Sequence, residues 1–102
     1  MSKFQELIND DKPLLVDFSA EWCGPCKVLA PELKKFANRM GDQLRVIKVD
    51  VDRNPQAASH FQVQGVPTLI LFRKGKQLWR SSGAMNVGQL VQAIEPVLSS
   101  QT

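Results

Sequence analysis

After Pro13 the chain runs through Leu14-Leu15-Val16-Asp17-Phe18-Ser19-Ala20, almost continuously apolar, and from Cys23 the periodicity becomes helical. A strand apolar on both faces must be covered on both faces, which is the situation of a central strand in a parallel α/β sheet. The helix that follows carries Val28, Leu29, Leu33, Phe36, Ala37 and Met40 at spacings of one, three and four, which predicts an inner face made of these residues. Pro31 lies inside it and is expected to kink it, and Gly41 is a plausible stop.

The same two periods extend along the chain. Ser2 with Gln5 has the form of a capping box, and Phe4, Leu7 and Ile8 keep helical spacing up to Asn9-Asp10-Asp11. Leu44 to Val51 alternates as a strand, and Asn54-Pro55 opens a short helix through Phe61. Thr68 to Phe72 reads as a buried strand, turned by Lys74-Gly75 into Lys76 to Ser81. Asn86, with Gln89 three residues on, caps a last helix whose inner face is Val87, Leu90, Val91, Ile94 and Leu98, with Pro96 expected to bend or end it. The order helix–strand–helix–strand–helix–strand–strand–helix implies one α/β domain over residues 1–102. Its mixed sheet has about four strands and helices on both faces.

Both cysteines of the 102-residue chain lie in Trp22-Cys23-Gly24-Pro25-Cys26, where strand gives way to helix. Three residues apart on a helix, their Cβ atoms stand about 5–6 Å from each other, close to what a disulfide needs. So short a loop restricts the unfolded chain little, by about 2 kcal/mol against about 5 for a hundred-residue loop, so a purely structural staple gains little. A structural zinc needs four ligands, and beyond these two there is only His60, read here as an exposed helix residue. The spacing suits a bond that is made and broken.

Net charge is +3, and the basic residues are scattered except for Arg73, Lys74, Lys76 and Arg80 around the hairpin, read as charge protecting a sheet edge. No basic stripe with stacking aromatics points to nucleic acid, and apolar runs such as Val66 to Phe72 fall short of a membrane span. The start, Met1-Ser2-Lys3-Phe4, lacks a signal-peptide core, which sets the expectation of a cytoplasmic protein, where thiols stay reduced. Asp17 is a carboxylate inside an apolar strand. Either it is buried, with a raised pKa that makes it a proton acceptor near neutrality, or it is a strand-edge Asp satisfied by backbone groups.

The segment Val16 to Lys27, followed by Ala30-Pro31, closely resembles the active-site segment of the thioredoxin family. The likeness continues in order through Lys48-Val49-Asp50-Val51-Asp52, Asn54-Pro55, Gly65-Val66-Pro67-Thr68 and Gly83-Ala84. There are two departures. No strand precedes the first helix, where the family usually has one, so one sheet edge is expected to be less protected. Ser19 stands where many bacterial members have Trp.

The resemblance implies a protein-disulfide reductase in which Cys23, at a helix N-terminus that favours the thiolate, attacks and the less exposed Cys26 resolves. It implies Asp17 as the base for Cys26 and Lys48 as the partner of Asp17, although Lys48 alone would read as a solvated strand residue. Pro67 is implied to be cis, packed against the disulfide and exposing Val66 backbone groups to a client strand. Trp22, Gly24, Pro25, Gly65, Val66, Gly83 and Ala84 form the implied apolar rim, with Asp52 supporting Trp22. Trp79 is read as a packing residue. The implied protein is a monomer that binds no cofactor or metal and is re-reduced by an NADPH-dependent thioredoxin reductase. Its implied clients include ribonucleotide reductase, peroxiredoxin and methionine sulfoxide reductase. An oxidase or isomerase of the same fold, or a binding subunit with an incidental cysteine pair, are the alternatives.

Overall fold

The computed structural model describes residues 2–101. Its elements are α1 (Lys3–Asn9), β1 (Leu14–Ser19), α2 (Gly24–Met40), a 3-10 turn (Gly41–Gln43), β2 (Arg45–Asp50), α3 (Pro55–His60), β3 (Thr68–Arg73), β4 (Lys76–Ser82) and α4 (Val87–Ser99). The expected order is observed. The strands form a four-stranded sheet in the order β2-β1-β3-β4, parallel between β1 and β2 and antiparallel elsewhere.

All of β1 is buried, because it has a strand on each side and helices on each face. Its side chains divide by the alternation of the strand. Leu14, Val16 and Phe18 join Ile8, Val49, Ile70 and Phe72 in one core, against which Phe4, Leu7, Phe61 and Val63 of the α1 and α3 region pack. Leu15 joins Leu29, Leu33, Phe36, Met40, Leu69, Leu71, Leu90 and Ile94 in the other core, beneath α2 and α4. Alternation places Asp17 on the same side as Leu15, facing α2. Trp79 is half-buried against this second core, a packing residue.

Local chemistry sets the element ends. The Ser2 hydroxyl accepts from the Gln5 amide at 3.1 Å, and Asn86 with Gln89 makes the complete capping box. Gly41 ends α2 at a positive φ of +57°, which favours glycine. Lys74 and Gly75 both have positive φ, the type I′ pattern that matches the twist of a hairpin. A Cβ on Gly75 would also come within 3.0 Å of Asn9 Oδ1.

One expectation is corrected and one narrowed. Val28 is 64 % exposed, because the buried stripe of α2 is Cys26, Leu29, Leu33, Phe36 and Met40, and Val28 lies to one side of it. Of the two outcomes expected at Pro96, a bend or an end, the end is excluded: α4 continues to Ser99, its last turn carried by packing of Val97 and Leu98 on the core. Three of the hairpin cations also make specific contacts. Arg73 donates to the carbonyls of Asp11 and Gln101, Arg80 to those of Phe61 and Gln62, and Lys74 meets Asp11 at 3.6 Å.

Phe36→Ala should destabilise the fold by about 3–5 kcal/mol, whereas Val28→Ala should stay within about 0.5 kcal/mol of the parent. Urea denaturation followed by circular dichroism measures both; comparable losses for the two variants would contradict this packing scheme.

Candidate redox site

The site is assembled where β1 runs out. Cys23 returns its amide to the Ala20 carbonyl at 3.2 Å and becomes the N-cap of α2, in extended conformation. Pro25 occupies the first turn, where a missing N–H costs no helical bond. Cys23 and Cys26 form a disulfide, with their Cα atoms 5.3 Å apart. The Cys26 amide donates to Cys23 Sγ at 3.2 Å. A helix-start amide aimed at this sulfur stabilises negative charge on it once the bond is reduced.

The expected difference in burial between the two cysteines is absent, since Cys23 is 4 % and Cys26 5 % exposed in the disulfide. Their inequality lies instead in position: Cys23 caps the helix, and Cys26 stands inside its first turn. Ala20 completes the buried group around the sulfurs, with Val51 and Val66 packed on it. In the sequence Val51 stands only at the end of an alternating strand and within the family-like run Lys48 to Asp52, with no role of its own. It is brought here by its amide, which donates to the Ser19 carbonyl at 2.9 Å.

Distant segments close the perimeter. The Val66-Pro67 peptide is cis, as expected, and Pro67 is buried. The Pro67 carbonyl accepts from Gly83 at 3.0 Å, which ties the Gly83-Ala84 segment to the Val66-Pro67 segment. Gly24, Pro25, Gly65, Gly83 and Ala84 are exposed and Val66 is half-buried. Trp22 is 70 % exposed, so it is not a core residue, and its indole N–H donates to Asp52 Oδ2 at 2.8 Å. With Val51, Val63, Gln64, Gly65 and Val66 it lines a shallow pocket of about 100 Å³. Gln64 and Val63 were not singled out from sequence, because nothing in their spacing marks them.

Asp17 lies on the other side of the pair. It is 3 % exposed, and its Oδ1 has no hydrogen-bond partner. Burial raises its pKa from 3.8 to about 6, outweighing the attraction of Lys48, which pulls the other way. Lys48 faces Asp17 in register across β1 and β2 and is itself exposed. The backbone-satisfied reading of Asp17 therefore fails for Oδ1. A pocket of about 270 Å³ includes Asp17, Ala30 and Lys48, and a neighbouring one of about 390 Å³ includes Cys26, Ala30, Lys27 and Lys48. Ala30 and Lys48 border both, so the solvent-facing approach to Asp17 adjoins that to Cys26. Ser19, two residues further along β1, is also buried with its hydroxyl unpartnered.

His60 is exposed and meets the Phe61 ring edge-on at 4.7 Å. Among the described residues no three His, Cys, Asp or Glu side chains are grouped to hold a metal, and no helix is long and apolar enough to cross a membrane.

Comparison with known proteins gives this arrangement a family. The family model described as Thioredoxin matches residues 1–96. Thioredoxin 1 of Chlorobaculum tepidum is 48 % identical over 86 residues, covering 84 % of this chain and 85 % of that protein. Thioredoxin of Alicyclobacillus acidocaldarius is 43 % identical over 97 residues, covering 95 % and 92 %. Two longer relatives are matched in part. Thioredoxin Y, chloroplastic, of Oryza sativa is 41 % identical over 95 % of this chain and 58 % of its own length. A bifunctional thioredoxin reductase/thioredoxin of Mycobacterium leprae is 44 % identical over 95 % of this chain and 21 % of its own. The chain belongs to the thioredoxin family, and Cys23 and Cys26 are the pair of that family's Cys-x-x-Cys motif.

Proposed function

We propose that the chain is a protein-disulfide reductase that works by dithiol–disulfide exchange. The observation that carries this reading is a Cys23–Cys26 disulfide at a helix start, on a domain that also buries an underbonded carboxylate at Asp17. In the reduced protein, Cys23 thiolate attacks one sulfur of a client disulfide. A Cys23–client mixed disulfide forms and the second client sulfur leaves as thiolate. Cys26 then loses its proton to the Asp17 carboxylate and attacks Cys23 Sγ. The intramolecular disulfide closes, and the first client sulfur leaves as thiolate. Two electrons pass from the dithiol to the client, so no bound cofactor is required.

Lys48 shares the Asp17 approach and helps hold the carboxylate in its charged form, since its attraction opposes the effect of burial. Trp22, Gly24, Pro25, Gly65, Val66, Pro67, Gly83 and Ala84 serve as the client-docking rim, with the Val66 backbone offered to an extended client segment. The regenerating partner is a thioredoxin reductase supplied by NADPH, a pairing supported by the relative that is named as both reductase and thioredoxin. Clients of the ribonucleotide reductase, peroxiredoxin and methionine sulfoxide reductase kinds follow from the family resemblance. We place the protein, as a monomer, in a thiol-reducing compartment such as the cytoplasm, although a chloroplastic relative ties the pattern to no single location.

In NADPH-coupled insulin reduction, Cys23→Ser and Cys26→Ser should both abolish turnover, and only Cys26→Ser should accumulate a mixed disulfide on non-reducing gels. Trapping by Cys23→Ser would reverse the roles, and undiminished turnover in either variant would overturn the mechanism.

Asp17 carries a pH signature of definite sign. The folded carboxyl binds its proton more tightly than the unfolded one, so stability falls as pH rises from about 4 to about 6 and is then level. The full cost of ionising it in place is about 3 kcal/mol. Asp17→Asn should therefore be more stable than the parent at pH 7 by up to about that amount, with the gain vanishing below about pH 4. Mixed-disulfide resolution in the variant should be slower by about tenfold or more at pH 7. Denaturation at several pH values and quenched-flow resolution kinetics check the two halves; a destabilised variant with unchanged kinetics would refute the assignment.

A further inference from the structure

Helix α3 ends without a glycine. Phe61 is its C-cap, Gln62 follows with φ +55°, and Val63 and Gln62 donate their amides to the carbonyls of Ala58 and Ser59 at 2.8 and 3.0 Å. This is a Schellman closure with glutamine in the left-handed position that usually falls to glycine. A side chain there is strained, so the turn needs holding from outside.

Arg80 supplies the hold. From β4, paired with Ile70 of β3, it donates Nη1 to the Phe61 carbonyl at 2.6 Å and Nη2 to the Gln62 carbonyl at 2.8 Å. One rigid guanidinium fork thus takes the two consecutive carbonyls at the strained step. The Phe61 ring is fixed independently, with Phe72, Phe18 and Phe4 at 5.0, 6.2 and 6.3 Å. Beyond the turn the chain passes through Val63, Gln64 and Gly65 to the cis Val66-Pro67 bond, and Thr68 Oγ1 fastens the far end by donating to the Gly65 carbonyl at 2.7 Å.

We propose that Arg80 is a positioning residue for client docking: its fork holds the α3–β3 connection in the one course that presents the Val66 backbone and the Trp22-lined pocket to a client chain. The proposal rests on the protein-disulfide reductase reading and says which part of that activity Arg80 serves. It serves recognition of an extended polypeptide. The sulfur chemistry at Cys23 and Cys26 proceeds without it, so a small disulfide that needs no strand pairing is indifferent to Arg80.

The test is single-turnover oxidation of the pre-reduced full chain by insulin and, separately, by 5,5′-dithiobis(2-nitrobenzoate). For Arg80→Ala the half-saturating insulin concentration should rise by about fivefold or more at an unchanged limiting rate, with the small-disulfide rate within about twofold of the parent. Arg80→Lys keeps the charge and stem without the fork, and should show the same split at smaller size; it carries the test if Arg80→Ala does not fold. In the Arg80→Ala background, Gln62→Gly removes the strain at the left-handed step and should bring the insulin dependence back toward the parent. Equal losses on both disulfides, or an unchanged insulin dependence, would overturn the role of Arg80. Failure of the parent protein itself to reduce insulin would instead overturn the functional reading on which it rests.

Discussion

The burial of β1 is the constraint from which the rest follows. Every residue from Leu14 to Ser19 is enclosed, with β2 on one side, β3 on the other and helices above and below. Such a strand can end only by emerging at the sheet's rim, and Cys23 is set there, at the start of the helix that must cover the strand's own face. Enclosure also acts on the one ionisable group in the strand. Asp17 loses its water, keeps an unbonded oxygen and is left holding a proton up to about pH 6. The position of the sulfurs and the basicity of the carboxylate are two consequences of one packing arrangement.

The outer half of the site is built differently, by hydrogen bonds to backbone carbonyls, most of them between segments far apart in sequence. Gly83 reaches the Pro67 carbonyl, Val51 the Ser19 carbonyl, Thr68 the Gly65 carbonyl, and Arg80 the turn after α3. These bonds fix geometry in a part of the molecule where side chains such as Trp22 and Val66 remain accessible. A stiff sulfur pair set in packed core thus meets a rim held by a few directional bonds, of which those of Thr68 and Arg80 are removable by a single substitution.

This division explains what could be read from the sequence. Period-two and period-3.6 patterns reflect burial, so β1, α2 and β3 could be placed, and the Cys23–Cys26 spacing followed from α2 beginning where it does. The partners of Arg80 could not be read, because a cation at a hairpin looks the same whether it faces water or two carbonyls on another loop. Val28 satisfied helical spacing but lay just outside a stripe whose centre is set by contact with the sheet. Pro96 does not end α4 because the helix packs on the core beyond it, and the near-equal burial of Cys23 and Cys26 depends on Val51 and Val66 arriving from elsewhere. Asp17 stood out as a charge in an apolar run, but whether it was bonded there depended on tertiary structure.

The claim that a desolvated Asp17 is the proton acceptor behind the cysteine pair stands or falls on one quantity, its own titration. Carbon-13 NMR of the Asp17 carboxyl in the disulfide form, followed from pH 3 to 9, should give a midpoint of about 6. A midpoint near the ordinary value of 3.8 would mean that the carboxylate is solvated or paired in place, and would contradict the account.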